Sequence, residues 1–268
     1  MNDPKVAIFL SDLHIGGTTG LLPPGFVTFE GNEIKQNEYQ KWLWSCWLDC
    51  WKWADKVIGK DKWIAVLNGD LIDGFHHMTK EVVSVDPSDH ASGAIDVLEA
   101  VLKGAEAVYI SEGTHVHSGN QEHSIASILH WRGIKVAKHN AKKSAWPELS
   151  LRVHGSLVCI DHHVATTSRS YLEAGAYSGT MGDMRNRRSR AGLEVPKLIV
   201  RSHRHQYGMF DDGYGCMVIL PPWQGATRFT RRVVPGIVPQ CGMVVADWRN
   251  CPFNSVPSIH TRLHTVKC

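Results

Sequence analysis

The chain has 268 residues, 43% hydrophobic and 21% charged, which is enough apolar material for one large buried core over residues 1–268. Its formal net charge of +3 is too small to argue for nucleic acid by itself, and seven scattered cysteines without a C-x-x-C pair give no basis for a disulfide framework or a cysteine-type zinc knuckle. Sixteen histidines are more suggestive, since imidazole is both a common metal ligand and the usual acid or base near neutral pH.

Met1–Lys5 has no signal-peptide layout, and the apolar run Val6–Leu10 is too short to span a membrane. A reducing cytoplasm and no membrane partner are therefore expected. Val6–Ser11 reads as a buried strand ending at Asp12, and Gly16–Gln36, rich in Gly, Pro and Thr, reads as a long loop. Asn37–Ile58 reads as a helix whose Trp44, Trp47, Leu48 and Trp51 form one apolar face, widened by Trp42, Cys46, Cys50 and Trp53. Core packing accounts for such a face; a partner or homo-oligomer surface is the alternative.

Trp63–Leu67 is a second strand, ending at Asn68-Gly69-Asp70, and a helix is expected around Ala91–Lys103. A third strand, Ala107–Ile110, runs into Ser111–His115. Leu149–Val153 and Ser156–Ile160 form a hairpin about His154-Gly155, and Leu198–Val200 ends at Arg201-Ser202-His203. Tyr207–Phe210 and Cys216–Leu220 flank Asp-Asp-Gly-Tyr-Gly as a second hairpin, and strands near Gly242–Ala246 and Ser258–Val266 complete a mixed α/β pattern of sheets covered by helices.

Five strands end in a cluster containing Asp or His, the place where α/β proteins collect their sites. Asp12 and His14 are spaced i and i+2 in extended chain, so both side chains leave on one side and can share a cation. Asp70 follows a glycine that permits close backbone approach, and its two carboxylate oxygens can bridge two metals. Asp73 is placed to orient the site from behind it. His162-His163 follows another strand, and His203-Arg204-His205 repeats the i, i+2 arrangement. A capping Asp or a core His explains any one of these; their joint placement is harder to explain without a metal.

The series Ser11-Asp12-Leu13-His14, Gly69-Asp70-Leu71-Ile72-Asp73, Gly113-Thr114-His115, His162-His163 and Ser202-His203-Arg204-His205 resembles the calcineurin-like metallophosphoesterase pattern D-x-H, G-D-x-x-D, G-N-H, H, G-H-x-H. The match spans about residues 6 to 208, and its style is similar to bacteriophage-encoded members, for which the host cytoplasm would be the compartment. The resemblance implies a central β-sandwich of mixed sheets flanked by α-helices. It also implies two divalent transition-metal ions, Mn first and Fe, Zn or Ni as alternatives. Asp12, His14 and His205 would hold one ion, with Asp70 bridging, and His162 and His203 the other, His162 being preferred to His163.

The third block departs from the family, with Thr114 where the metal-ligating Asn stands. In one register Thr114 is a weak ligand and His115 the general acid; in the other His115 is the ligand and His117 supplies the proton. Glu112, Asn120 and His123 read as loop residues. The implied activity is hydrolysis of phosphodiester or phosphomonoester bonds by direct attack of a metal-bridging hydroxide at a dinuclear centre.

Arg169 and Arg204 are candidates for gripping phosphate. Arg185, Arg187, Arg188 and Arg190 lie on an expected helix as a solvated face or a phosphate grip. Arg228, Arg231 and Arg232, beside Trp223 and Phe229, form a basic-aromatic stretch able to clamp a nucleotide or single strand. His76 and His77 are placed either to face substrate or for structure. The rival readings are a repair-type nuclease of the same superfamily and a partner-binding scaffold of the same fold without turnover.

Overall fold

The computed structural model describes residues 3–76, 78–119, 121–141, 143–164, 173–233, 236 and 238–266. Its strands are β1 (Val6–Leu10), β2 (Phe26–Val27), β3 (Glu33–Ile34), β4 (Trp63–Asn68), β5 (Ala107–Ser111), β6 (Leu149–Val153), β7 (Ser156–Ile160), β8 (Leu198–Arg201), β9 (Gly208–Asp211), β10 (Cys216–Ile219), β11 (Gln240–Asp247) and β12 (Ser258–Thr265). Its helices are α1 (Glu38–Ile58), α2 (Pro87–Leu102), α3 (His115–Ser118), α4 (Gln121–Trp131), α5 (Glu173–Arg190) and α6 (Arg228–Val233).

Two mixed five-stranded sheets, ordered β12-β11-β1-β4-β5 and β6-β7-β8-β10-β9, carry the fold. In the first, β1, β4 and β5 run parallel, with Ile8 opposite Ala65 and Phe9 opposite Val66. In the second, β7, β8 and β10 are parallel and β6 and β9 close the edges antiparallel. Side chains alternate across a strand, which makes the layers. Ala7, Phe9, Ile64 and Val66 pack against Val158, Ile160, Leu198, Val200 and Val218 between the sheets. Val6, Ile8, Leu10, Ala65 and Leu67 face α1, α2 and α4. On the far side Ile199, Met217 and Ile219 meet Tyr177 and Met181 of α5. The result is a sandwich of mixed sheets with a helical layer on each outer face.

Helix α1 begins with a capping box: Gln40 N donates to Asn37 Oδ1 at 2.9 Å and Asn37 N to Gln40 Oε1 at 3.1 Å. Its buried face is Leu43, Cys46, Trp47, Cys50, Trp51, Ala54 and Ile58. That face is rotated from the expected one. Leu48 is 54% exposed, whereas Trp47 sits edge-on to Trp223 with ring centres 4.9 Å apart. Trp42, Trp44 and Trp53 are partly buried against the same core.

Sequence patterning gives no sign of the short β2–β3 hairpin inside the long loop, of the turn α3, of α4, which places His123 on a helix rather than in a loop, or of α6. Among the described residues, no helix is long and apolar enough to cross a membrane.

Candidate metal centre

Because β1, β4 and β5 are parallel, as are β7 and β8, their carboxyl ends gather on one rim of the sandwich. Beyond the strands the chains stay paired: Asp12 N donates to Gly69 O, His14 N to Asp70 O and Ile15 N to Leu71 O, each at 3.1 Å. The backbone there is contorted. Asp12, His14, Asp70, His203 and His205 all have positive φ, between 44° and 70°. This left-handed region costs a non-glycine residue about 1–2 kcal/mol, and such strain collects where side chains must be aimed.

Gly69 and Gly113 allow the β4 and β5 loops to touch. A Cβ on Gly69 would lie 2.6 Å from Gly113 Cα, and one on Gly113 would lie 2.2 Å from Asp70 N. That contact lets Thr114 N donate to Asp70 Oδ1 at 2.6 Å.

Among the described residues three groups of metal-ligating atoms result, the atoms within each lying within 4.8 Å of one another. The first is Asp12, His14 and His205 and the second Asp70, His162 and His203; the third, His14, Asp73 and His117, shares His14 with the first. In the first, His14 Nδ1 is 2.9 Å from Asp73 Oδ1. An ionised carboxylate only accepts, so the proton is on Nδ1 and the Nε2 lone pair points into the site. His14 Nε2 lies 3.1 Å from His205 Nε2. Among the described residues Asp12 Oδ1 is buried without a hydrogen bond, with His205 Nε2 at 3.4 Å and both His14 Nε2 and His162 Nε2 at 3.9 Å.

In the second group, His162 Nδ1 donates to Asn68 O at 2.7 Å, leaving Nε2 facing Asp70 Oδ2 at 3.1 Å. Asp70 Oδ2 is also 4.0 Å from His14 Nε2, so this carboxylate stands between the groups. The Thr114 hydroxyl hydrogen-bonds with His203 Nδ1 at 3.1 Å.

The electrostatics follow from this crowding. Burial works against charge on Asp12 and Asp70, but the surrounding imidazoles outweigh it, taking Asp70 to about 2 and Asp12 lower still. Burial likewise opposes charge on His162, yet Asp70 and Asp12 lift it to about 9. His203 is lowered to about 4 by burial and by His162. Burial also pulls His14 down, against the pull of Asp73.

Asp73 is the hub behind the first group. Its Oδ1 lies 2.9 Å from His14 Nδ1, 3.3 Å from Gln224 Nε2, 3.5 Å from His117 Nδ1 and 3.7 Å from His76 Nε2. The His117 ring stands edge-on to those of His14 and His76, with centres 4.8 and 4.4 Å away. Burial weakens charge on His117, but Asp73 and Asp70 raise it above its ordinary value.

The other expected residues are placed as follows. His115 is exposed on α3, outside both ligand groups, and His163 is exposed with its ring 5.2 Å from that of His162 and 4.9 Å from that of His203. Arg204 is half-buried between the two ligands it separates. Arg169, His77 and Asn120 lie outside the described residues. Glu112 pairs with His123 at 3.1 Å, away from the ligand groups. Trp223 is fully buried, so of its two aromatics the stretch around α6 keeps Phe229, 63% exposed, beside the exposed Arg228, Arg231 and Arg232, the last 5.7 Å from the Phe229 ring centre.

Two polar residues that spacing did not single out build the site's frame. Asn68 is fully buried: Nδ2 donates to Ser202 Oγ at 2.6 Å and Asp161 O at 3.1 Å, and Oδ1 accepts from Ser111 Oγ at 2.6 Å. Gln224 follows β10 much as the ligands follow their strands, which was the available signal; its neighbour Trp223 N donates to Asp12 O at 2.8 Å.

No protein-family model and no curated protein matches the sequence. Among solved structures the chain is similar to Vacuolar Protein Sorting 29 from Cryptosporidium parvum, at 10% identity and TM-score 0.44, over 99% of this chain and 100% of that one. It is also similar to an archaeal phosphodiesterase, at 10% identity and TM-score 0.43 over 97% and 99% of the two chains. A conserved predicted phosphoesterase from Streptococcus pneumoniae is similar at 10% identity and TM-score 0.38, over 98% and 99%. Likenesses this distant transfer neither an activity nor a substrate.

Proposed function

We propose that this chain is a metal-dependent phosphoesterase of the calcineurin-like kind, hydrolysing phosphodiester or phosphomonoester bonds. The observation that carries the reading is Asp12 Oδ1, buried without a hydrogen bond while the Nε2 atoms of His14, His162 and His205 lie within 3.9 Å of it. In the metal-free chain a proton on His162 Nε2 offsets part of this negative charge, and a bound cation, drawing on the carboxylate oxygens and imidazole lone pairs, would take its place. The residues therefore fit two ions, one on Asp12, His14 and His205 and one on Asp70, His162 and His203, with Asp70 shared. Four imidazoles and two carboxylates favour a transition ion such as Mn, Fe, Zn or Ni over Ca. Such ions supply, when bound, charge that neutralises the phosphoryl oxygens and a lowered pKa for a water molecule.

The chain's own residues do the rest. Asp73 fixes the tautomer of His14 and holds His117 through Nδ1, so Nε2 of His117 is the atom left to pass a proton to the departing alkoxide. His115, exposed on the same turn, is the competing donor. A donor placed in this way contributes roughly a hundredfold to ten-thousandfold.

The test is hydrolysis of bis(p-nitrophenyl) phosphate and p-nitrophenyl phosphate with Mn, Ni, Zn and Mg. Metal-dependent turnover, abolished by EDTA and reduced at least about a hundredfold in Asp70→Asn, is expected. No turnover of either ester with any ion, or full activity in Asp70→Asn, would sink the reading. Comparing His115→Asn with His117→Asn on the same esters identifies the proton donor.

A further inference from the structure

We propose that a groove beside the second ligand group docks a nucleoside phosphate joined through the scissile ester, making the substrate a nucleotide-containing phosphodiester. This rests on the phosphoesterase reading above. The groove, about 490 Å³ in volume, lies between the end of β7 and helix α5 and is lined by His163, Val164, Met184, Arg187, Arg188 and Arg201. Ligand sites occupy roughly 300–1,000 Å³, so it has room for a base and sugar.

Its position ties it to the metal centre. His163 forms one wall, and its ring is 4.9 Å from that of His203 and 5.2 Å from that of His162. The groove thus begins one imidazole's width from the second ligand group. Its floor follows from strand alternation: Leu198 and Val200 point into the sandwich, while Ile199 and Arg201 point to the α5 side. Arg201 is 6% exposed, and Nη1 donates to Val200 O at 2.9 Å. A guanidinium keeps its charge when buried and presents a planar fork suited to phosphate.

Arg188 is anchored through Nε to Glu194 O at 2.6 Å, and the carboxylates on the lining are Asp161 and Asp183. Asp183 is 4.0 Å from Arg187 in an exposed pair of little strength. Among the described residues, three guanidiniums against two carboxylates favour an anion. The His163 imidazole adds a ring on which a base can stack, and Val164 and Met184 add apolar contact. A small aryl ester would leave all of this unused.

The test measures kcat/KM for metal-loaded protein on bis(p-nitrophenyl) phosphate and on the p-nitrophenyl ester of thymidine 5′-phosphate. The nucleotide ester is expected to be preferred by at least about tenfold, and Arg187→Glu and Arg201→Met each to remove that preference, through KM. The Arg187 side chain is 84% exposed, so that variant reports even where Arg201→Met fails to fold. Arg132→Gln, just beyond the end of α4, should keep the preference.

Thymidine dinucleotide inhibiting as strongly as a hexamer would identify a free dinucleotide as the source of the phosphate, and stronger inhibition by the hexamer a strand. The proposal is overturned, with the phosphoesterase reading intact, if the aryl diester is hydrolysed but the nucleotide ester is no better, or if Arg187→Glu leaves the preference unchanged. Hydrolysis of neither diester overturns this proposal, and it overturns the phosphoesterase reading as well only where p-nitrophenyl phosphate is also left intact.

Discussion

At the scale of single residues, the site is organised by which nitrogen of each imidazole is already engaged. His14 and His162 each give Nδ1–H to an oxygen, of Asp73 and of Asn68, and so present Nε2 to the carboxylates. The charge on Asp73 matters as much as its position, because an anionic acceptor makes the His14 lone pair a better donor. Burial opposes that charge, but His117, His14 and His76 hold the carboxyl far below its usual range. Asp73→Asn keeps the shape and removes the charge. We expect it to weaken binding at the first ligand group by roughly ten- to a hundredfold and to leave the second nearly unchanged. Titration of the metal-free variant with Mn, followed by calorimetry, measures this; unchanged affinity at both steps would show that Asp73 acts only as a spacer.

At the scale of elements, the rim is held by polar ties between strand ends. Asn68, the last residue of β4, joins the ends of β5, β7 and β8 through Ser111, Asp161 and Ser202, while Ser11 Oγ donates to Asn68 O at 2.9 Å. Asn68→Ala leaves two buried hydroxyls short of a partner and opens a small void, a loss of about 2–4 kcal/mol. Denaturant unfolding should show it as a lower midpoint with an unchanged slope, and an unchanged midpoint would refute the tie.

Strands were legible at this scale because apolar runs such as Val6–Leu10 and Trp63–Leu67 end abruptly at polar residues, and those ends are where the ligand groups form. Helix α4 was not, since its buried face of Glu122, Ile125, Ala126 and Leu129 includes a carboxylate, while Ile128 and Trp131 are exposed. The α1 face was misjudged by part of a turn because tryptophans surround the helix and only packing selects among them. Asn68 and Gln224 are buried polar residues whose partners come from distant strands, which spacing along one chain does not reveal.

At the scale of the whole molecule, stability must vary with pH, because several carboxylates are removed from water and each responds in its own sense. Asp12, Asp70 and Asp73 are held down by imidazoles and contribute stability that is lost on acidification. Glu122 works the other way. It is 1% exposed, neither carboxyl oxygen has a hydrogen-bond partner among the described residues, and burial raises it from 4.5 to about 7. Below pH 4.5 the group is neutral in both folded and unfolded chains and contributes nothing. Between 4.5 and about 7 the unfolded chain releases the proton while the folded chain keeps it, so stability falls as pH rises. Above 7 both forms are ionised and the penalty is constant, on the order of 3 kcal/mol.

Glu122→Gln retains a buried polar group and removes the titration. The variant should therefore match the wild type near pH 4 apart from a constant offset. It should gain on the wild type through pH 5–7 and stay ahead at pH 8 by about 3 kcal/mol beyond that offset. Urea unfolding of both proteins, equally loaded with metal, at pH 4.5, 6 and 8 measures the difference. Parallel pH profiles would mean that Glu122 is ionised in the folded state and has found a partner there.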